Sequence, residues 1–280
     1  MTDQQGQEDP ALTKPTLVAA DHQFLVYNKP RGWLSHASVD RRRENLLDFA
    51  SSSAASSSAS FPLSVSASPS LSPVHRDPAQ TKPLLVNRLD RGTSGLILLA
   101  RDAASCAKVQ SVWSTDHVIK WYLAIIELKL VDPREFLSHF KFGEVTTARH
   151  HLKDTGRDKQ EIVKSGGQLA VTELLPLRRQ DAFLLIAARL RTGRRHQIRA
   201  QVAALWGPIV GDSTYGSTHS VESGFLLHSA HLCLQLPGED AKRSWSVAPP
   251  QTGDLLDQLW SQHLKLGSTS DSHFWQDRHQ

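Results

Sequence analysis

Apolar positions in this chain fall in short runs divided by polar turns, the pattern of a strand-rich protein. The run Leu84-Leu85-Val86 enters a polar cluster, Asn87 to Arg91, and the run from Leu96 to Leu99 carries the chain away. This predicts strand, sharp loop, buried strand, with Gly92 and Gly95 supplying turns. Gln23–Asn28 reads as a strand closed by a plain turn, Lys29-Pro30-Arg31-Gly32, and Lys120–Glu127 as a buried strand rich in aromatic and β-branched residues. Asp102 is placed to cap a helix running to about Trp113, with Ala103, Cys106, Ala107, Val109 and Val112 inward. The charged stretch 139–167 lacks periodicity and is expected to be loop with short strands. Leu169–Leu177 and Ala182–Leu190 form an antiparallel pair across the turn Arg178–Asp181.

The most basic segment follows. Thr192-Gly193 ends a strand, and Arg194–Trp206 reads as a helix stopped by Gly207-Pro208. Ile198, Val202 and Leu205 would face the core, leaving Arg195 and Arg199 one turn apart on an adjoining face, a helix N-terminus suited to phosphate. Gly211–Gly216 is a turn, Phe225–Leu236 and Trp245–Ala248 are strands, and Asp254–Leu264 is an amphipathic helix. Strands without regular helical alternation indicate an α+β fold with a mixed, mainly antiparallel sheet core and flanking helices. No Gly-x-Gly-x-x-Gly or Walker loop occurs, which argues against a nucleotide cofactor.

Residues 51–73 hold twelve Ser, four Ala and three Pro, too few large apolar groups for a core, so they are expected to be a flexible insertion. The expected organisation is a tail over 1–17, one domain over 18–266 carrying that insertion, and a frayed end over 267–280. A net charge of +4 and a pI near 9.1 favour a polyanionic partner only mildly. Arg41-Arg42-Arg43 is either a solvated face or a set of phosphate contacts. The two cysteines, Cys106 and Cys233, lie far apart in apolar contexts and suit a reducing compartment. Met1–Pro10 is polar and acidic, unlike a signal peptide, and no apolar run is long enough to span a bilayer, so a cytoplasmic, monomeric protein with no membrane partner is expected.

The chain has 14 histidines, yet none shows metal-ligand spacing, and no metal site is expected. Neither a Gly-x-Ser-x-Gly elbow nor a second well-placed carboxylate points to hydrolase chemistry. Asp90 between Arg88 and Arg91 is by itself most simply a structural ion pair. With a strand-borne tyrosine and a basic helix, it suits a carboxylate acting on a sugar carbon while arginines hold phosphates.

Several blocks together resemble the RluA family of RNA pseudouridine synthases. Asn87-Arg-Leu-Asp90 with Thr93-Ser94-Gly95 is similar to the family's His-Arg-Leu-Asp-x-x-Thr-Ser-Gly. Lys120-Trp-Tyr122-x-Ala124 is similar to its Lys-x-Tyr-x-Ala strand, and Thr192-Gly-Arg-Arg-His-Gln-Ile-Arg199 to its Thr-Gly-Arg-x-His-Gln-Ile-Arg motif. Asn28-Lys-Pro-x-Gly32, Gly211-Asp-x-x-Tyr-Gly216 and Leu227-His228 with Leu232 and Pro237 complete the set in the family's order. The resemblance implies that uridine in structured RNA, ribosomal or transfer RNA, is detached from C1′ and rejoined through C5 without cofactor or metal. It implies Asp90 as the catalytic carboxylate, Tyr122 as the residue stacked on the base and Arg199 as the aspartate's partner. Arg88, Arg91, Arg194 and Arg195 are the expected RNA contacts, with Arg88 or Arg91 able to fill the space of a flipped base. His196 and His228 are expected to be structural hydrogen-bonders, and Gly92, Gly95 and Gly193 turn requirements. Asn87, Ser229 and Leu236 depart from the family's usual His, Ala and His. The competing reading is a catalytically silent RNA-binding or chaperone protein on the same fold.

Overall fold

The most apolar run of the chain, Leu96 to Leu99, is buried along its whole length and sits inside a single sheet. The computed structural model describes residues 13–38, 43–56, 82–129, 142–156 and 158–250. Within them the strands are β1 (Thr16–Ala20), β2 (Phe24–Lys29), β3 (Leu84–Leu85), β4 (Ser94–Ala100), β5 (Val118–Glu127) and β6 (Thr146–Asp154). They continue as β7 (Gln160–Val163), β8 (Gln168–Gln180), β9 (Phe183–Leu190), β10 (Leu227–Leu234) and β11 (Arg243–Ser246). Three helices, α1 (Leu46–Ser56), α2 (Ala103–Val112) and α3 (Gln197–Leu205), accompany them. The sheet order is β1-β2-β4-β10-β5-β9-β8-β6-β7, with β3 on β4 and β11 on β10.

Period-two alternation divides the core into two. Leu25, Tyr27, Ile97 and Leu99 join the large cluster on one side of the sheet, while Phe24, Val26, Leu96 and Leu98 join a smaller one on the other. Strands β4 and β5 are therefore buried on both faces, which accounts for their continuous apolar runs. All pairings of named strands are antiparallel except β4 with β10, which meet at Ser94↔His228 and Gly95↔Ser229. Gly95 is required there. Its φ is +108°, and a Cβ would lie 2.2 Å from Ser229 O.

Several expectations need correction. Thr16 and Leu17 belong to β1, not to a tail. Ser51–Ser56 extend α1 rather than opening a flexible insertion, because a helix nucleated at Leu46, capped by the Asn45 side chain on Asp48 N at 2.9 Å, runs into them. The remainder of that insertion, Arg41 and Arg42, the Asp254–Leu264 helix and the C-terminal end lie outside the described residues. The α2 cap is as expected: Asp102 Oδ1 accepts Ser105 N at 2.8 Å. Its inner face, however, is Ser105, Val109 and Val112, with Ala103 and Ala107 exposed and Cys106 half-buried, since the two valines decide the rotation and alanines are too small to. The stretch expected to be loop with short strands holds the longer β6 and the short β7, in which Ala148, Leu152 and Gln160 are buried. β8 runs on to Gln180, and the turn tightens to Asp181-Ala182, with Asp181 at φ 52°.

Glu127, at the end of β5, fastens the loop after residue 216. It accepts Ser217 Oγ at 2.8 Å and Thr218 N at 3.0 Å, pairs with His219 Nδ1 at 3.1 Å, and also accepts Thr218 Oγ1. Burial pushes its pKa up, but the hydrogen bonds from Thr218, His219 and Ser217 outweigh this and hold it at about 2. A folded value below that of the unfolded chain stabilises the protein above the unfolded pKa and ceases to do so as pH falls toward the folded one. Glu127→Gln is therefore expected to cost about 1–2 kcal/mol near neutral pH, discounted because solvent reaches part of the carboxylate. Denaturant titrations of both proteins between pH 7 and pH 2 check this, and the gap should shrink below about pH 4.

Candidate active site

The loop between β3 and β4 carries Asp90 and is pinned from below by the segment that follows β2. Lys29 is fully buried and its Nζ donates to Trp33 O at 2.9 Å, Pro30 O at 3.0 Å and Arg91 O at 3.3 Å. Gly32 N also donates to Arg91 O at 2.9 Å, and Arg91 Nε returns a bond to Gly32 O at 3.0 Å. Ser35 Oγ donates to Leu89 O at 2.8 Å and accepts Leu89 N at 3.0 Å. Lys29-Pro30-Arg31-Gly32 is thus more than a plain turn. Burial drives the Lys29 pKa down to about 7, with the Asp90 charge opposing and the Arg91 charge reinforcing the shift. Asn87 has a structural part, since its Oδ1 accepts Leu98 N at 2.8 Å where the short β3 has already ended.

Arg199, in the first turn of α3, reaches Asp90 from the other side. Its Nη1 donates to Asp90 Oδ2 at 2.9 Å. Its other edge is held by Asp212, with Nε to Oδ2 at 2.6 Å and Nη2 to Oδ1 at 2.8 Å. The guanidinium lies 4.4 Å from the Phe225 ring centre and 5.2 Å from that of Tyr215. Gly92 makes room for that stack, since a Cβ there would stand 2.6 Å from the Phe225 ring. Burial works against the charge of Arg199, but the hydrogen bonds and charge of Asp212, and then those of Asp90, raise its pKa. Asp212 is buried at 1% exposure and was not singled out as a site residue by its Gly-Asp-x-x-Tyr-Gly motif.

The helix begins three residues later than the apolar pattern predicted. His196 takes a left-handed backbone with φ 51° at its start, and Arg194 and Arg195 stand in the preceding turn. Arg195 and Arg199 are therefore not stacked on one helical face. The turn is tied by Gln197 Oε1, which accepts Arg194 N at 2.9 Å and Thr192 Oγ1 at 2.8 Å. The His196 ring is buried, with Nε2 3.7 Å from Asp90 Oδ2.

Tyr122, on β5, completes the set. It stands directly across from Ser229 on β10, whose hydroxyl is the polar group that moderates its pKa. Burial raises the Tyr122 pKa to about 12, the Ser229 hydroxyl opposing this and the Asp90 charge adding to it, so the phenol is neutral at physiological pH. His228 has both ring nitrogens engaged, Nδ1 with Ser94 Oγ at 2.9 Å and Nε2 with Val247 O at 3.1 Å, and burial lowers its pKa to about 4. It is a structural residue.

Asp90, Tyr122, His196 and Arg199 line one cleft of about 550 Å³ in which, among the described residues, Asp90 is the single acidic wall residue, against Arg88, Lys120, Arg194, Arg195 and Arg199. Lys120 Nζ donates to Trp113 O at 3.1 Å, satisfying a carbonyl at the end of α2, and burial lowers its pKa to about 8. Arg91 does not line the cleft; it is exposed and bonded to Gly32. Arg195 is paired with Asp154 at 2.9 Å and with Asp158, whereas Arg194 has no carboxylate partner among the described residues. Gly193 is not a turn requirement, since a Cβ on it would meet nothing within 4 Å. Among the described residues no group of three potential ligands could hold a metal ion, and no helix is long and apolar enough to cross a membrane.

A mixed sheet of this order is found in solved pseudouridylate synthases. The human RNA pseudouridylate synthase domain containing 4 shares the fold with a TM-score of 0.60 at 19% identity, over 89% of this chain and 92% of its own. Human RNA pseudouridylate synthase domain containing 1 aligns at 0.58 and 19% identity, over 92% and 98%. Residues 23–204, well over half of the chain, match the family described as RNA pseudouridylate synthase. The chain belongs to the RluA family of RNA pseudouridine synthases, isomerases that act on RNA. Among its relatives, ribosomal large subunit pseudouridine synthase D of Borreliella burgdorferi is 26% identical over 89% of this chain and 70% of its own length. The tRNA pseudouridine synthase C of Yersinia pestis is 27% identical over 79% and 81%. An RNA pseudouridine synthase of Mycoplasma pneumoniae is 27% identical over 90% and 72%.

Asp212→Asn keeps the shape but removes the charge that balances a buried guanidinium. It is expected to cost about 3 kcal/mol, read as a lowered midpoint in chemical denaturation. A variant as stable as the wild type would mean that Asp90 alone suffices to hold Arg199.

Proposed function

We propose that this enzyme converts specific uridines of structured RNA, ribosomal or transfer RNA, to pseudouridine, with Asp90 as the catalytic carboxylate. The observation that carries the reading is the convergence of three distant segments, with Arg199 Nη1 2.9 Å from Asp90 and Tyr122 in the same cleft. Relatives named for ribosomal large-subunit and for transfer RNA support both substrate classes. The domain responsible is proposed to begin with β1 at Thr16 and to run to 266.

The reaction breaks the N1–C1′ bond of uridine and forms a C5–C1′ bond, while C5 loses a proton and N1 gains one. Atoms and electrons balance within the substrate. The carboxylate of Asp90 acts ionised, either attacking C1′ or taking the C2′ proton, and Arg199 fixes which of its oxygens is free by occupying the other. Tyr122 offers a flat ring for the detached base. As a neutral phenol facing Ser229 it takes part in C5 deprotonation only by passing a proton on, not as a standing phenolate. The target must leave its stack to reach Asp90, and Arg88 at the cleft mouth is placed to fill the vacancy. A silent RNA-binding protein has no need for a buried Asp212–Arg199–Asp90 relay of this kind, so the second reading is not favoured.

Asp90→Asn should abolish pseudouridine formation in bulk RNA, mapped at nucleotide resolution, while leaving RNA affinity within about threefold. Equal turnover by both proteins removes Asp90 from the chemistry. Arg194→Ala should weaken RNA binding and reduce the slope of log affinity against log salt by about one. Arg195→Ala should change the slope less, because Asp154 and Asp158 already neutralise that guanidinium.

A further inference from the structure

His196 has more polar capacity than its fold requires. Its Nδ1 lies 3.4 Å from the Tyr215 hydroxyl, which is also within 3.2 Å of Gln160 O and accepts Gln160 N at 3.0 Å. With the phenolic proton directed to Gln160 O, the network assigns the imidazole proton to Nδ1 and leaves a lone pair on Nε2. That nitrogen faces Asp90 Oδ2 at 3.7 Å, too long for a hydrogen bond, and among the described residues nothing else takes it up. The ring is kept neutral: burial lowers its pKa, the charges of Arg199 and Arg195 lower it further, and Asp90 and Asp212 oppose them. Two acceptors therefore confront each other on the wall of the cleft. The backbone that puts the ring there is in the left-handed region, uncommon for a residue with a side chain, and such a conformation is kept where the side chain's direction matters.

A hydroxyl oxygen about 2.8 Å from Nε2 fits beside this pair and donates its one proton to the imidazole lone pair. On the reading that Asp90 acts on the ribose, its oxygens must come within about 3–3.5 Å of C1′ or C2′. The 2′-hydroxyl is one bond from C2′ and is the only free hydroxyl of an internal nucleotide. We propose that His196 Nε2 accepts the 2′-hydroxyl of the target uridine, so that this histidine reads ribose against deoxyribose. This deepens the proposed function and depends on it for the position of the sugar.

The test uses the shortest RNA stem-loop that the wild-type protein modifies, synthesised with either uridine or 2′-deoxyuridine at the modified position. Single-turnover rates are compared for the wild type, His196→Asn, which tolerates the left-handed backbone but falls short of the sugar, and His196→Gln, whose amide oxygen reaches further. Wild type should lose at least about tenfold on the deoxy substrate, the worth of one hydrogen bond. His196→Asn should lose a similar factor on the ribose substrate and nothing more on the deoxy one, with partial recovery in His196→Gln. An equal loss on both sugars, or a His196→Asn enzyme that still prefers ribose by the wild-type factor, overturns the proposal. Asp90→Asn beside them separates the two readings: it should be inactive on either sugar whatever His196 does, and turnover by it would remove Asp90 without explaining a sugar preference lost at His196.

Discussion

The structure depends on a buried guanidinium that is held from one edge so that the other can be offered. Asp212 takes Nε and Nη2 of Arg199, leaving Nη1 for Asp90. A charge stripped of water is costly unless it is paired and hydrogen-bonded, and here both conditions are met by a carboxylate that is itself buried. Phe225 and Tyr215 rings flank the group, and Gly92 is bare because any side chain would push the Phe225 ring away. Arg199 is therefore aimed before substrate arrives, and Asp90 receives a fixed partner rather than one that must be ordered during the reaction.

The partner is useful only if Asp90 is equally fixed, and that is the task of the opposite wall. The buried ammonium of Lys29 gathers three carbonyls, one of them belonging to Arg91, next to Asp90. Its depressed pKa reflects the cost of this arrangement, which persists because the carbonyls and the nearby Asp90 charge offset part of the desolvation. The two walls are brought into register by β4 and β10. Their parallel contact needs Gly95 to lie against the backbone of Ser229, and Ser229 is the residue that faces Tyr122. A single close approach thus connects the Asp90 loop to the strand carrying the tyrosine.

Asp90, Tyr122 and Arg199 were legible because each sits in a local motif whose spacing survives without the fold. Asp212 was not: a carboxylate in a Gly-Asp-x-x-Tyr-Gly turn looks like turn chemistry until the turn is folded against α3. Lys29 was misjudged for a related reason, since a lysine before proline usually marks a solvated turn and only the tertiary structure buries it. The start of α3 was misplaced because Arg194 to His196 fit a helix by propensity, while the side chain of Gln197 satisfies the local backbone in a different geometry. The extent of β6 was not readable, because its two fully buried residues, Ala148 and Leu152, are four apart and do not display strict alternation. The sheet class was readable from the burial of β4 and β5, which demands apolar residues on both faces.

If Asp90 acts as proposed, the distribution of charge in the cleft bears on how one site could grip a polyanion and still present a carboxylate to its sugar. Positive groups at the mouth, Arg88 and Arg194 among them, are exposed and free to meet phosphates, whereas the Asp90 charge is balanced locally by Arg199. Asp212 is paired with the same guanidinium and does not line the cleft, in which no second acid stands among the described residues. Around Asp90 the remaining polar groups, Tyr122 and His196, are neutral by virtue of burial, so neither competes for the arginine nor repels the backbone. A cleft with several cations and unbalanced acids would bind RNA by its phosphates in many registers. On the proposed function, confining the carboxylate of Asp90 beneath a neutral shelf would make productive binding conditional on a base that has left its stack, and so couple RNA deformation to chemistry.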